Sequence, residues 1–249
     1  MWVLYLVIPI TSLNSIIMFS TKKTIVILLL VISIQNVTFA IPKIVIDTSE
    51  TSVNQKTFSN TIVNPLAIYS TEWSKEIYNN CNTAANSNYL SPEEKNLIWI
   101  LNMLRQNPQL FLTSVLLNPL CDLFVKKENR NNYYNSLIST LQQLKPVKIQ
   151  LSSDSLNYLS AKCHAVYSGL NGYVGHERSR SGCNAHFYGE CCDYGSSNAL
   201  NILLDLLIDD GIPNFGHRKI CLSPDYLTIG VSIQPHTTYR FNAVIDFGY

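Results

Sequence analysis

A short apolar run stands between a basic pair and everything that carries a cysteine, and it limits what the chain can become. Lys22-Lys23 precede eleven uncharged residues, Thr24–Ile34, and the stretch closes on Val37-Thr38-Phe39-Ala40. A basic start, an apolar centre and a small residue at the end describe a secretory signal, here cut near Ala40. The run falls short of the about 20 residues that a membrane span needs. Met18 is a conventional start for it, with residues 1–17 upstream. The competing reading is an uncleaved anchor, since Trp2–Phe19 is a second apolar stretch, interrupted by Thr11, Ser12, Asn14 and Ser15. Cleavage is the expectation, which gives a secreted, extracellular protein with no stable membrane anchor. All seven cysteines (Cys81, Cys121, Cys163, Cys183, Cys191, Cys192 and Cys221) lie beyond the signal. An oxidising compartment makes disulfides the expectation, and an odd count leaves at least one thiol out of an intramolecular pair. No Cys-x-x-Cys spacing occurs, which argues against a cysteine-based structural zinc site.

Charge excludes one class of partner. Residues 1–40 hold no acid and two bases, so the remainder carries 16 basic and 17 acidic residues and stands near −1. A nucleic-acid binder needs a basic face to replace phosphate counterions, and this chain has none to spare.

Three regions follow from composition and pattern: 1–40, the secretory signal; 41–90, rich in Asn, Ser and Thr and read as a polar linker or loosely packed arm; and 91–249, the ordered domain. Order begins at Ser91-Pro92-Glu93-Glu94, where Ser91 caps a helix, Pro92 fits its first turn and Glu94 completes a capping box. Leu97, Leu101 and Leu104 then recur at helical spacing. Asn107-Pro108 ends that helix and opens another through Leu117. Tyr134, Leu137, Ile138, Leu141 and Leu144 mark a third. Val147–Leu151 reads as a short strand. Ser153 or Asp154 caps a helix carrying Leu156, Leu159, Cys163 and Val166 on one side. Residues 169–195 read as a long glycine-rich loop with short strands, a type of segment that is often functional. Ser196 or Ser197 caps a helix through Ile208 with Leu200, Leu203, Leu204 and Leu207 inward. Leu227–Ile233 and Tyr239–Phe247 form a terminal hairpin. Helices first and strands late imply an α/β sandwich with a mixed or antiparallel sheet.

Three polar groups, each preceded by glycine, invite chemistry: Gly175-His176-Glu177-Arg178, Gly189-Glu190-Cys191 and Gly216-His217-Arg218-Lys219. Two imidazoles and a carboxylate can hold a divalent cation or share a proton, provided a fold brings them together. Asp209-Asp210 close a helix, where carboxylates oppose the dipole, so they are either a solvated turn or there for a purpose. Arg218-Lys219 reads as an exposed basic pair. His164 reads as a packed or flanking side chain, and His186 and His236 have no partner context. Cys191 and Cys192 are either nucleophiles near His217 or, in an exported chain, disulfide partners.

The same residues resemble a family. His217-Arg218-Lys219-Ile-Cys-Leu-Ser-Pro224, Ile229-Gly230-Val231-Ser-Ile233 and Asp246-Phe247-Gly248 resemble the closing segment of CAP domains (cysteine-rich secretory protein, antigen 5, pathogenesis-related 1; also SCP domains), in a form nearest the bacterial and lower-eukaryotic branch. Leu156…Ala161…His164-Ala165, His176, Gly189-Glu190 and Leu101-Asn102-x-x-Arg105 resemble its earlier motifs, in order, over residues 91–249. The resemblance implies a three-layer α-β-α sandwich with a mainly antiparallel central sheet. It also implies a cleft lined by His176, His217, Glu190 and a second acid, either Asp209 or Asp210. His176 and His217 would then bind a divalent cation, zinc first. It implies a non-enzymatic binding or signalling module, with a protein or a lipid or sterol as ligand. The alternative is a secreted, protease-like hydrolase using Glu190 or Cys191 with His176 or His217. The chain departs from the family pattern at Cys191, which replaces an Asn, at the second acid, where the family's Trp-x-x-Glu falls at Leu206-x-x-Asp209, and at Cys221, which replaces an Asn or Ile.

Overall fold

The computed structural model describes residues 18–21, 24–27, 63–123 and 131–249, in two units, 1–58 and 59–249. In the first, strands β1 (Met18–Thr21) and β2 (Thr24–Ile27) pair antiparallel. The remainder of the signal region and residues 41–62 of the expected arm lie outside the described residues. Among the described residues no helix is long and apolar enough to cross a membrane.

In the second unit, residues 63–90 correct the expectation of a loose arm. Leu66, Trp73, Cys81 and Ala84 are buried in the main core, and α1 (Lys75–Cys81) forms there. The polar residues that suggested a solvated linker are spent on the backbone instead. Asn64 Oδ1 accepts the Leu66 N–H, Ser74 caps α1, and the Thr83 hydroxyl donates to the Leu151 carbonyl.

Helix α2 (Pro92–Gln106) begins as its sequence requires: Ser91 and Glu94 form the capping box, and Pro92 sits in the first turn. Leu97, Ile98, Leu101 and Leu104 are fully buried. Three buried polar side chains of α2 then pin distant backbone. Glu94 accepts the Ile233 N–H at 2.8 Å; Asn102 donates to Leu151 O and accepts its N–H; Arg105 donates to the carbonyls of Cys221, Ser223 and Tyr226. Asn102 and Arg105 also explain why 147–151 is not a strand. The Val147 N–H is taken by the Arg105 carbonyl and Leu151 by the Asn102 side chain, so the chain reaches a sheet only at β3 (Ser152–Ser153). Helix α3 (Pro108–Phe111) runs on into a wide π turn, Leu112–Leu116, and α4 (Asn132–Gln143) buries Tyr134, Leu137 and Leu141.

The sheet is mixed, in the order β3-β5-β6-β4. β5 (Thr228–His236) and β6 (Arg240–Gly248) form the expected hairpin, and β4 (Gly189–Tyr194) adds antiparallel to β6. Only β3 is parallel, pairing two residues with β5. Alternation along β4 and β6 splits their side chains. Cys191, Ala243, Ile245 and Phe247 join the large core with α2, α6 (Ala199–Ile208) and α7 (Gly216–Leu222), whereas Cys192 and Val244 pack with Ala161 and Ala165 of α5 (Ser155–Asn171).

Helix α5 is turned around relative to its expected apolar side. Leu156 and Leu159 are more than half exposed, and Val166 is also exposed. Its buried face is Asn157, Tyr158, Ser160, Ala161, His164, Ala165, Ser168 and Gly169. The reason is distance. A β-carbon added at Gly230 would stand 2.1 Å from the Tyr158 nitrogen, and one at Gly169 would stand 2.1 Å from the Pro235 carbonyl oxygen. Helix and sheet meet backbone to backbone there, and only small or hydrogen-bonding side chains fit between them. Helix α6 is capped by Asn198 rather than by Ser196 or Ser197, and buries Leu200, Leu203, Leu204 and Leu207. Gly230→Ala is therefore expected to push α5 off β5 and lower unfolding stability by about 3 kcal/mol or more, read from urea denaturation; Leu159→Ala should cost less than about 1 kcal/mol.

Candidate functional site

The loop after α5 is anchored at both ends before it presents His176. Gly172 closes α5 in the left-handed conformation, and the Cys163–Cys183 disulfide ties the far side of the loop back to the helix. Gly175 holds a φ of 125°, open to glycine, and its carbonyl accepts from His164 Nε2 at 2.8 Å. His176 Nδ1 then donates to Glu190 Oε1 at 2.8 Å. Glu190 sits on β4 opposite Asp246 of β6, and Arg178 lies between the two carboxylates. The Arg178 guanidinium also donates to the Ser160 carbonyl and stacks on Phe187. Burial raises the Glu190 pKa, but hydrogen bonds from His176 and Arg178 outweigh it and hold the carboxyl below its ordinary value. Asp246 goes the other way: burial dominates and pushes its pKa up, with the Ser160 hydroxyl donating to Oδ2 at 2.6 Å.

His217 is held by a second pair of similar form. Asp209 ends α6 with φ 59°, a left-handed conformation that costs a non-glycine residue about 1 kcal/mol or more. Its carboxylate is fully buried and accepts from His217 Nδ1 at 2.8 Å and from the Arg218 N–H at 3.3 Å. A carboxylate at a helix C-terminus faces the negative end of the dipole. Arg218 relieves this. It is buried rather than part of an exposed basic pair, and it donates to the last α6 carbonyls, Leu207 and Ile208, and to Tyr133 O and Ser136 Oγ. Burial lowers the Arg218 pKa, and Asp209 counters that fall. Asp210, the other candidate, instead accepts from the Asn131 amide at the surface.

The two imidazoles meet at the free edge of the sheet. Their ring centroids are 6.0 Å apart and their planes 39° apart. β4 is an edge strand, and its alternation serves both sides: the Cys192 Sγ lies 3.6 Å from His176 Nδ1, and the Cys191 Sγ lies 3.7 Å from the His217 carbonyl. A cavity of about 440 Å³ opens here, lined by His176, His217, Asp209, Asp210, Asp193 and Asp205 among others, with Glu190 bonded just behind His176. Both ring Nδ1 atoms are committed to carboxylates, and among the described residues neither Nε2 has a hydrogen-bond partner. A carboxylate on Nδ1 fixes the tautomer and leaves Nε2 as a ligand atom, the usual support for a metal-bound histidine.

A second group lies deeper. His164, Glu190 and Cys192 each offer a ligand atom within 4.8 Å of the others and could hold a metal ion. His164 is fully buried, and burial foremost lowers its pKa, so the ring is kept neutral. Part of this group is already committed: His164 Nε2 is bonded to Gly175 while its buried Nδ1 has no partner among the described residues, both Glu190 oxygens are taken, and burial pushes the Cys192 thiol pKa well up. Among the described residues no imidazole nitrogen or carboxylate bonds the Cys191 thiol. The thiol is fully buried, contacts Cys221 and a backbone oxygen, and is also pushed up by burial, so the cysteine form of the hydrolase alternative finds no support in the geometry. His236 pins the β5–β6 turn by bonding Tyr173 O and the Thr238 N–H.

Arg178 and Asp246 stand in the motifs that the sequence singles out but carry no assigned role there, and Asp193 and Asp205 lie outside those motifs. Asp246 carried a usable signal, since an acid inside the apolar run Ala243-Val-Ile-Asp-Phe247 must be answered by a partner once the strand is buried. Asp193 is also buried, and one of its oxygens has no hydrogen-bond partner. The chain matches no family model, no curated protein and no solved structure.

The cavity carboxylates give the site a pH dependence. Burial, then the nearby Asp205 charge, raises Asp193 to about 7. A folded state that holds this proton more tightly than the unfolded chain gains stability that is fully present below the unfolded value of 3.8 and lost as pH rises through about 7. Asp193→Asn is expected to stabilise the protein by about 2–4 kcal/mol at pH 8 and by almost nothing at pH 4. Urea titrations at the two pH values would show it.

Proposed function

We propose that this chain is a secreted CAP/SCP-like binding module whose acidic cleft holds a divalent cation between His176 and His217. The observation that carries the reading is the pair of matched histidine–carboxylate bonds, both 2.8 Å, with the ring centroids 6.0 Å apart. Two imidazoles that share one zinc ion at the usual nitrogen distances bring their ring centres to about 5–6 Å, and the observed separation is of that size. Zinc is the first candidate because two imidazoles suit it. Bound there, the ion would supply a Lewis-acidic anchor for an anionic or carbonyl group of a protein or lipid ligand. Glu190 and Asp209 act behind the rings, fixing their tautomer and direction, and Asp209 takes the second acidic place that the sequence left between it and Asp210.

Three further features support the family. The Asn102-x-x-Arg105 pair is buried and pins backbone, and Gly230 is required by the approach of α5. Helices lie on both faces of the sheet, α5 on one and α2, α6 and α7 on the other, which supports a three-layer arrangement. The signal-like run at Thr24–Ile34 and the Cys163–Cys183 disulfide support export. The non-enzymatic reading is favoured over a hydrolase because Glu190 is already bonded to His176 and Arg178 and Cys191 is sealed in the core.

Isothermal titration with zinc chloride tests the cation. The wild-type chain is expected to bind one equivalent. His176→Ala with His217→Ala should abolish binding, and Asp209→Asn should weaken it about 10–100-fold, since it removes only the group that orients His217. A wild-type protein that takes up no zinc, cobalt or nickel would remove the cation from this reading.

A further inference from the structure

Cys191 of β4 and Cys221 of α7 are both fully buried, 30 residues apart in sequence, and their sulfurs stand 4.0 Å apart. Both are also positions at which the chain departs from the pattern it resembles, as it does at Leu206-x-x-Asp209. Two buried cysteines that face each other across one interface at this distance can be joined. From this we propose that Cys191 and Cys221 form a second intramolecular disulfide, joining the strand that carries Glu190 to the helix that carries His217.

A disulfide holds its sulfurs about 2.05 Å apart, so closure needs about 2 Å of combined movement. Rotation of the two cysteine side chains would have to supply this, since α7 is held at both ends by Arg105 and Arg218. The two bonds would then have matching duties. Cys163–Cys183 fastens the loop bearing His176 to α5, and Cys191–Cys221 would fasten the turn bearing His217 to β4. Each imidazole of the cleft would be held by its own covalent tie. That consequence rests on the cation-cleft reading; the bond itself does not.

The oxidant is a small-molecule disulfide of the glutathione class. One cysteine thiolate attacks it, forming a mixed disulfide and releasing one small thiol. The other cysteine attacks the mixed bond, forming Cys191–Cys221 and releasing the second small thiol. The two cysteine protons end on the two released thiols; the cysteines are oxidised by two electrons and the small disulfide is reduced by two. Both sulfurs are sealed once α7 is seated, so exchange belongs to folding and not to the finished protein.

The full-length chain, unfolded and reduced, would be refolded in a buffer of reduced and oxidised glutathione, and its remaining thiols alkylated in denaturant. Digestion at acidic residues cuts after Glu190 and so separates Cys183 from Cys191. The expected product is a linked peptide pair containing Cys191 and Cys221, at an occupancy similar to that of Cys163–Cys183 in the same digest. Alkyl label on both Cys191 and Cys221 beside an intact Cys163–Cys183 link would overturn the proposal, as would linkage of Cys221 to Cys192. Cys221→Ala gives a second reading by opposite signs: its count of alkylated thiols exceeds the wild-type count by one if the bond exists and falls below it by one if it does not. Zinc uptake is measured separately, so a missing bond leaves the cation reading standing, and a failed titration leaves the bond standing.

Discussion

Carboxylates buried at the edge of a sheet set the terms for the rest of this structure. An ionised acid removed from water is destabilising by several kcal/mol unless a donor or cation answers it. Glu190 is answered by His176 and Arg178, and Asp209 by His217 and the Arg218 backbone. Asp246 shares Arg178 with Glu190 and takes the Ser160 hydroxyl as well. The direction of each imidazole is thus a by-product of satisfying a buried charge. That is why the rings are oriented although the atoms that would meet a ligand, both Nε2, bond nothing among the described residues.

The position of β4 makes this arrangement possible. An inner strand has neighbours on both edges, so groups from its two faces cannot converge. β4 has β6 on one side only. Its odd and even residues reach opposite layers, as in any strand, with Cys192 and Glu190 toward α5 and Cys191 toward α7, and its open edge lets the loop after α5 and the start of α7 come together beyond it. The arginines complete the frame. Arg105 holds the end of α7 through the Cys221 and Ser223 carbonyls, and Arg218 holds the end of α6, so the short helix bearing His217 is tied at both ends.

Two kinds of local information proved readable. Capping chemistry marked the start of α2, where Ser91, Pro92 and Glu94 act within one turn, and alternation marked the terminal hairpin. Periodicity misled at α5. Leu156 and Leu159 look like a core stripe, yet the sheet approaches so closely at Gly230 and Gly169 that the inward face must be small and polar. Composition misled over 63–90, because Asn, Ser and Thr serve backbone caps there as readily as they serve a solvated linker.

Taken alone, the amino-acid order determined which residues were worth watching: His176, Glu190, Asp209 and His217, each beside a turn or a helix end. It also determined the α/β class, through helix caps and strand alternation, which act over a few neighbours. Only the tertiary structure decided that Asp209 and not Asp210 meets His217, that Arg178 and Asp246 belong to the site, and that Cys191 faces Cys221 instead of an imidazole. Those pairings cross gaps in sequence that no local rule spans. They depend on how closely α5 and α7 approach the sheet, and that approach is set by packing, which a one-dimensional pattern does not encode.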